Sequence, residues 1–171
     1  MSSMRLICTS VTAIVLAGMA AATTAPGTAA QGVVMQRNLS LAMAKTIAEA
    51  TLAECKSKGF NTSTVVVDRA GHTMVLLRDE RASSQTAEMA RRKAYTALMF
   101  RTTTIEFQKR TAGESPLAAQ RDIADILALG GGVPIQAGGE TIGGVGSSGS
   151  SQETDDACAK AGIAKVADLL K

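Results

Sequence analysis

The chain has 171 residues, with 18 Lys and Arg against 15 Asp and Glu, a single His and a formal charge of +3. Only 2% of it is aromatic, with no Trp, one Tyr and three Phe. Stacking platforms for single-stranded nucleic acid are therefore missing, and the near-balanced charge points to neither nucleic acid nor an anionic membrane surface.

Arg5 is the only charge before Arg37, Leu6–Ala22 is apolar and rich in alanine, and Thr28-Ala29-Ala30 follows as a run of small residues. This pattern predicts a secretory signal peptide over residues 1–30, cleaved after Ala30. An uncleaved membrane anchor competes with it, but Thr12, Gly18 and the small side chains suit an anchor poorly. The mature domain is then 31–171, periplasmic or extracellular, with no stable membrane span. Loss of Arg5 lowers its charge from +3 to +2. Cys8 leaves with the leader. Cys55 and Cys158 remain, an even pair in an oxidising compartment, either bridged or as two buried thiols.

Asn38 or Ser40 can cap a first helix from Leu41 to about Lys58, with Gly59 as a left-handed stop. Ala44, Ile47, Ala48, Thr51, Leu52 and Cys55 form its apolar stripe. Thr64–Val67 is a short β-branched strand, Asp68-Arg-Ala-Gly71 a turn, and His72–Leu77 the returning strand. Asp79–Ser84 reads as a loop. A second helix spans Gln85–Phe100, with Ala87, Ala90, Ala94, Ala97 and Leu98 on one side and Arg91-Arg92-Lys93 on a solvated one. Arg101–Thr104 interrupts it, Ile105–Arg110 adds a helical turn, Leu117–Ala124 a short helix after Pro116, and Ile126–Leu129 a strand.

Nine of the sixteen glycines then fall between Gly130 and Gly149. Val133, Ile135, Ile142 and Val145 interrupt them, which argues against a linker. Gly138-Gly139 marks the turn of a second hairpin, Val133–Ala137 and Glu140–Gly146. Glycine this dense inside strands predicts close backbone approach by a helix, a partner chain or a flat ligand. Gly144-Val-Gly146-Ser-Ser-Gly149 spells G-x-G-x-x-G, but the dinucleotide reading needs a further parallel strand, and the chain runs out first. Ser150 with Glu153 offers a capping box for a last helix, Gln152–Leu170, which buries Ile163, Val166 and Leu170. Two hairpins between helices predict an α+β fold with an antiparallel sheet.

Any imidazole chemistry falls on His72, a candidate haem or metal ligand at the start of a strand. The plain alternative is a solvent-facing hairpin residue. One His without a cysteine cluster supplies no zinc site, and no G-x-S-x-G accompanies a hydrolytic triad. On the second helix, Lys93-Ala-Tyr95-Thr96-Ala97 sets a cation, a phenol and small residues over one turn, where a ligand carboxylate could meet Lys93. Tyr95 is the only phenol available as a haem ligand.

The order and spacing of Val67-Asp68-x-x-Gly71-His72, Lys93-Ala-x-Thr96-Ala97, Gly131-Gly132-Val133-Pro134-Ile135 and Ile142-Gly143-x-Val145-Gly146 resemble the GlcG/HbpS-type family, from Leu39 to Leu170. That family includes extracellular haem-binding proteins, a protein of glycolate operons and a haem-binding domain fused to a cobalamin adenosyltransferase. The resemblance implies a profilin-like α/β/α fold with a five-stranded antiparallel sheet flanked by helices. It also implies haem as the suspected cofactor and a homo-oligomer (tetramer or octamer); His72, at a position many members share, is then the candidate metal ligand, with Lys93, Tyr95 and Thr96 of the second-helix cluster as the candidates to hold the group. Members read Gly-Val-Ser-Gly-Gly where this chain has Gly144-Val-Gly146-Ser-Ser-Gly149, so a glycine replaces the hydroxyl there. The first and last helices of such a fold lie side by side. If they run antiparallel, Cys55 and Cys158 come to one level. The readings in play are an exported haem-binding or haem-sequestering protein, a periplasmic module binding a small organic acid, and a small enzyme acting on such an acid through Asp68, Lys93 and Tyr95.

Overall fold

Ser40 opens the first helix, its hydroxyl accepting the Met43 N–H at 3.2 Å, and the chain leaves it through Gly59 at φ +84°. In the computed structural model, which describes residues 32–171, this helix is α1, Leu41–Ser57. The segment expected to be a signal peptide lies outside the described residues. The structure below is that of the compact unit Met35–Lys171. β1 (Ser63–Asp68) and β2 (Thr73–Arg78) make the first hairpin, followed by α2 (Thr86–Phe100) and α3 (Thr104–Arg110). A 3-10 turn at Ala118–Asp122 precedes the second hairpin, β3 (Gly132–Ala137) and β4 (Glu140–Ser148), and then α4 (Gln152–Ala164). Gly138 and Gly139 turn that hairpin at φ +55° and +82°, values that a residue with a Cβ adopts only at a cost.

The sheet is antiparallel, in the order β2-β1-β4-β3. On one face Ala44, Ile47 and Ala48 of α1 and Ala159 of α4 pack on Val66, Val133, Ile135 and Val145. On the other, Ala90, Ala94 and Leu98 of α2 pack on Val65 and Val67. The glycines explain how α2 gets so close. A Cβ at Gly146 would run into the Ala90 carbonyl, at Gly144 into that of Ala94, and at Gly132 into that of Lys93. The close approach expected of these strands is therefore made by a helix.

Across the first face, α1 and α4 run antiparallel: Gly162 lies against the Ile47 carbonyl and Thr51, and Cys55 is bridged to Cys158 with Cα atoms 5.5 Å apart. That Cα separation is an ordinary one for a disulfide, and the bridge closes a sequence separation of 103 residues.

Four expectations need correction. The sheet has four strands, not five: Ile126–Leu129 is no strand, because α2 side chains take the backbone groups a ladder would need. Thr96 Oγ1 accepts the Leu127 N–H at 2.9 Å, and Arg92 donates to the Ile126 carbonyl. The last helix stops at Ala164, with a 3-10 turn at Ala167–Leu169 in place of its final turn. Its cap is Ser151, which accepts the Thr154 N–H, because Ser150 is drawn to Asp155 instead. Gly144 to Ser148 run along an antiparallel strand, so the parallel unit of a dinucleotide site, which the sequence already argued against, is not built there. No helix of the described residues is long and apolar enough to cross a membrane.

Candidate functional site

β1 spans the sheet between two chemically distinct ends. At one, Ser63 faces Ser148; at the other, Asp68 faces Gly143. Five residue steps separate them, roughly 17 Å of strand.

Lys93 belongs to the Ser148 end. Sequence spacing put it on a solvated face with Arg91 and Arg92, yet it is 2% exposed. The glycines let α2 sink until its Nζ donates to Asp155 Oδ2 at 2.9 Å and to the Ser147 carbonyl at 3.0 Å. Asp155 Oδ1 accepts the Ser150 hydroxyl at 2.7 Å. Ser147 Oγ lies 3.3 Å from Asp155 Oδ1 and 3.5 Å from Cys55 Sγ. Burial pushes the Lys93 ammonium below the usual lysine range, and Asp155 acts against that shift. A cavity of about 300 Å³ opens beside the pair, lined by Met89, Ser148, Ser150 and Gln152 among others. The cation and the carboxylate that reach it are already spent on each other.

Thr96 joins neither end. It is fully buried, donates to the Arg92 carbonyl at 2.8 Å and holds Leu127, so it ties α2 to the chain that leads into β3.

His72 belongs to the Asp68 end. Asp68 Oδ1 accepts the backbone N–H groups of Ala70 and His72, each at 2.9 Å, and Gly71 turns at φ +86°. Tyr95 fixes the same turn, since its ring occupies the space a Gly71 Cβ would need, with Leu98 beside it. His72 is thus presented on a braced turn with its side chain 82% exposed. Its Nδ1 is 3.8 Å from Asp68 Oδ2, too far for a hydrogen bond, so both ring nitrogens are free among the described residues. No three of His, Cys, Asp and Glu gather there as a metal site. The structure therefore brings His72 and Tyr95 together and sets Lys93 and Thr96 apart from them.

Sequence reasoning passed over two residues at this end. Arg69, in the same turn as His72, bonds Glu140 Oε2 at 2.7 Å and thereby holds that carboxyl below its ordinary range. Arg101 ends α2 at φ +53°, and its guanidinium has no hydrogen-bond or ion-pair partner among the described residues. Together with Thr141 they line two adjoining cavities of about 170 and 190 Å³. The break at Arg101–Thr104 was visible in sequence; what an arginine does there was not.

The family model described as haem degrading protein HbpS-like matches residues 39–164. An uncharacterised 15.0 kDa protein in the dhaT-dhaS intergenic region of Citrobacter freundii is 31% identical over 135 residues, 77% of this chain and 94% of its own length. The crystal structure of HbpS aligns with a TM-score of 0.75 at 36% identity, over 81% of this chain and 98% of that one. A PduOC:heme complex aligns at 0.69 with 27% identity, over 74% and 93%.

Proposed function

This chain belongs to the HbpS-like family of haem-degrading proteins, and on that premise we propose that it is an exported haem-binding or haem-sequestering protein that holds haem at the His72 end of its sheet. The observation that carries the proposal is the exposed imidazole with both nitrogens free on a braced turn. The surroundings fit the group. Tyr95, Leu98 and the half-exposed Met99 supply an apolar flank, and guanidinium groups lie beside them. Bound haem would supply an iron centre. His72 would give it one nitrogen ligand, oriented by Asp68 through the turn. Lys93 and Thr96 serve the scaffold in this reading. A PduOC:heme complex among the similar structures supports the ligand class.

Export through a signal peptide over 1–30, to the periplasm or beyond, belongs to the same proposal. The Cys55–Cys158 bridge supports it, because disulfides persist in oxidising compartments. Assembly into tetramers or octamers is a further part. Among the described residues β2 pairs only with β1, which leaves its outer edge open, and its Leu76 is 48% exposed. A monomer in light scattering at micromolar concentration would count against that part alone.

A small organic acid is the second reading, favoured by the 300 Å³ cavity with its serine and glutamine lining. Haemin titration separates the two. The haem reading expects a Soret shift that saturates at fixed stoichiometry and is weakened in His72→Ala. A featureless titration moves the weight to the small acid.

A further inference from the structure

We infer that Arg69 and Arg101 form a carboxylate-binding groove beside His72, and that this groove takes the propionate groups of the haem. The inference rests on the haem reading above and adds to it the part of the site that grips the ligand's charged edge.

The groove and the histidine share a wall. Leu98 lies against Gly71, the residue before His72, and also lines the groove with Arg69, Met99, Arg101 and Thr141. A flat ligand that covers the turn therefore extends over Leu98 toward the two guanidinium groups. One of the pair already shows the chemistry: Arg69 holds the carboxylate of Glu140, which is 49% exposed. Arg37 adds to the positive field on that carboxylate, so two guanidinium groups act on one acid, and Arg101 shares a cavity wall with it. Cationic capacity is left over, and it is left on Arg101.

Arg101 is also unusual in its backbone. It occupies the left-handed region, where helix ends ordinarily place glycine. Nothing within the described chain engages its side chain, so its place at the groove has no structural partner to account for it. A guanidinium presents a planar fork that matches a carboxylate with two parallel N–H donors. The two cavities share Arg69, Arg101 and Thr141, so one groove can receive a pair of carboxylates on neighbouring arms of one ligand.

The test compares haemin with haemin dimethyl ester, in which both propionates are blocked, on the mature wild-type protein and on R101Q, R101G, E140Q and H72A. Wild type is expected to bind haemin about tenfold more tightly than the diester, the size of one charge-assisted hydrogen bond. R101Q and R101G are expected to lose about that factor for haemin and nothing for the diester. E140Q, which releases Arg69, is expected to tighten haemin and leave the diester alone. Both ligands weaken in H72A if they share the site. Thermal unfolding of R101G, which relieves the left-handed backbone, establishes that the variant is folded. If wild type binds haemin and the diester equally, or R101Q binds haemin as wild type does, the groove is overturned while the haem reading stands. If wild type binds neither, the haem reading falls and the groove with it.

Discussion

The two ends of β1 carry similar residue types and use them in opposite ways. At the Ser148 end Lys93, Asp155 and Ser147 are buried with Ser150 half-buried beside them, and their hydrogen bonds close on one another. At the Asp68 end a histidine and an arginine stand exposed with no side-chain hydrogen bond inside the described chain. Buried polar groups must be paired or the fold pays their desolvation. Exposed groups that are braced but unpaired are under no such demand, and they are the ones free to meet a ligand. Residue type alone assigns chemistry to both ends; the state of pairing separates scaffold from candidate site.

Breaking the paired end should have the largest effect. Lys93→Met leaves Asp155 charged, 1% exposed and without its cation, which costs about 3–5 kcal/mol. Urea unfolding reads this loss, and adding Asp155→Leu should restore much of it. A single variant that unfolds at the wild-type midpoint would mean the pair is not a scaffold element. Reducing the Cys55–Cys158 bridge, which lies against Ser147, should cost about 2–4 kcal/mol. Counting free thiols in denatured mature protein (residues 31–171, without Cys8), in the absence of reductant, should first give zero per chain. Gly146→Ala forces a methyl group into the Ala90 carbonyl and lifts α2 from the sheet, at about 1–3 kcal/mol.

The smallest effect belongs to the other end. Glu140 is held below its ordinary value by Arg69. Its folded value therefore lies below its unfolded one, near 4.3. The stabilisation is complete above the unfolded value and is lost as pH falls through the folded one. Glu140→Gln should thus lower the melting temperature slightly at neutral pH and match wild type in acid. A difference that grows on acidification would reverse the assignment.

Local signals announced local structure well. Ser40 and Gly59 bound α1, Asp68 through Gly71 forms the first turn, and Gly138-Gly139 the second, because caps and left-handed turns are decided within a few residues. The glycine-dense strands announced a close neighbour, and that neighbour is the α2 backbone. The failures share one cause. Lys93 looks solvent-facing beside two arginines, but its partner Asp155 is 62 residues away. Ile126–Leu129 looks like a strand until Thr96, 31 residues earlier, claims the Leu127 N–H. Ser150 looks like a cap, yet Asp155 takes its hydroxyl and leaves capping to Ser151. The candidate site was half legible: His72 stood out as the single imidazole and thus as a candidate ligand, whereas Arg69 and Arg101 become candidates only when two turns meet at one end of the sheet.

The division between a paired end that holds the fold and an unpaired end that binds the ligand is tested most directly by the melting temperature of wild type and His72→Ala, with and without haemin. Without haemin the two proteins should melt together, since an exposed residue contributes within about 0.5 kcal/mol. Haemin at roughly a hundred times its dissociation constant should raise the wild-type midpoint by roughly 5–10 °C and leave His72→Ala almost unmoved. Equal shifts in the two proteins would contradict the account.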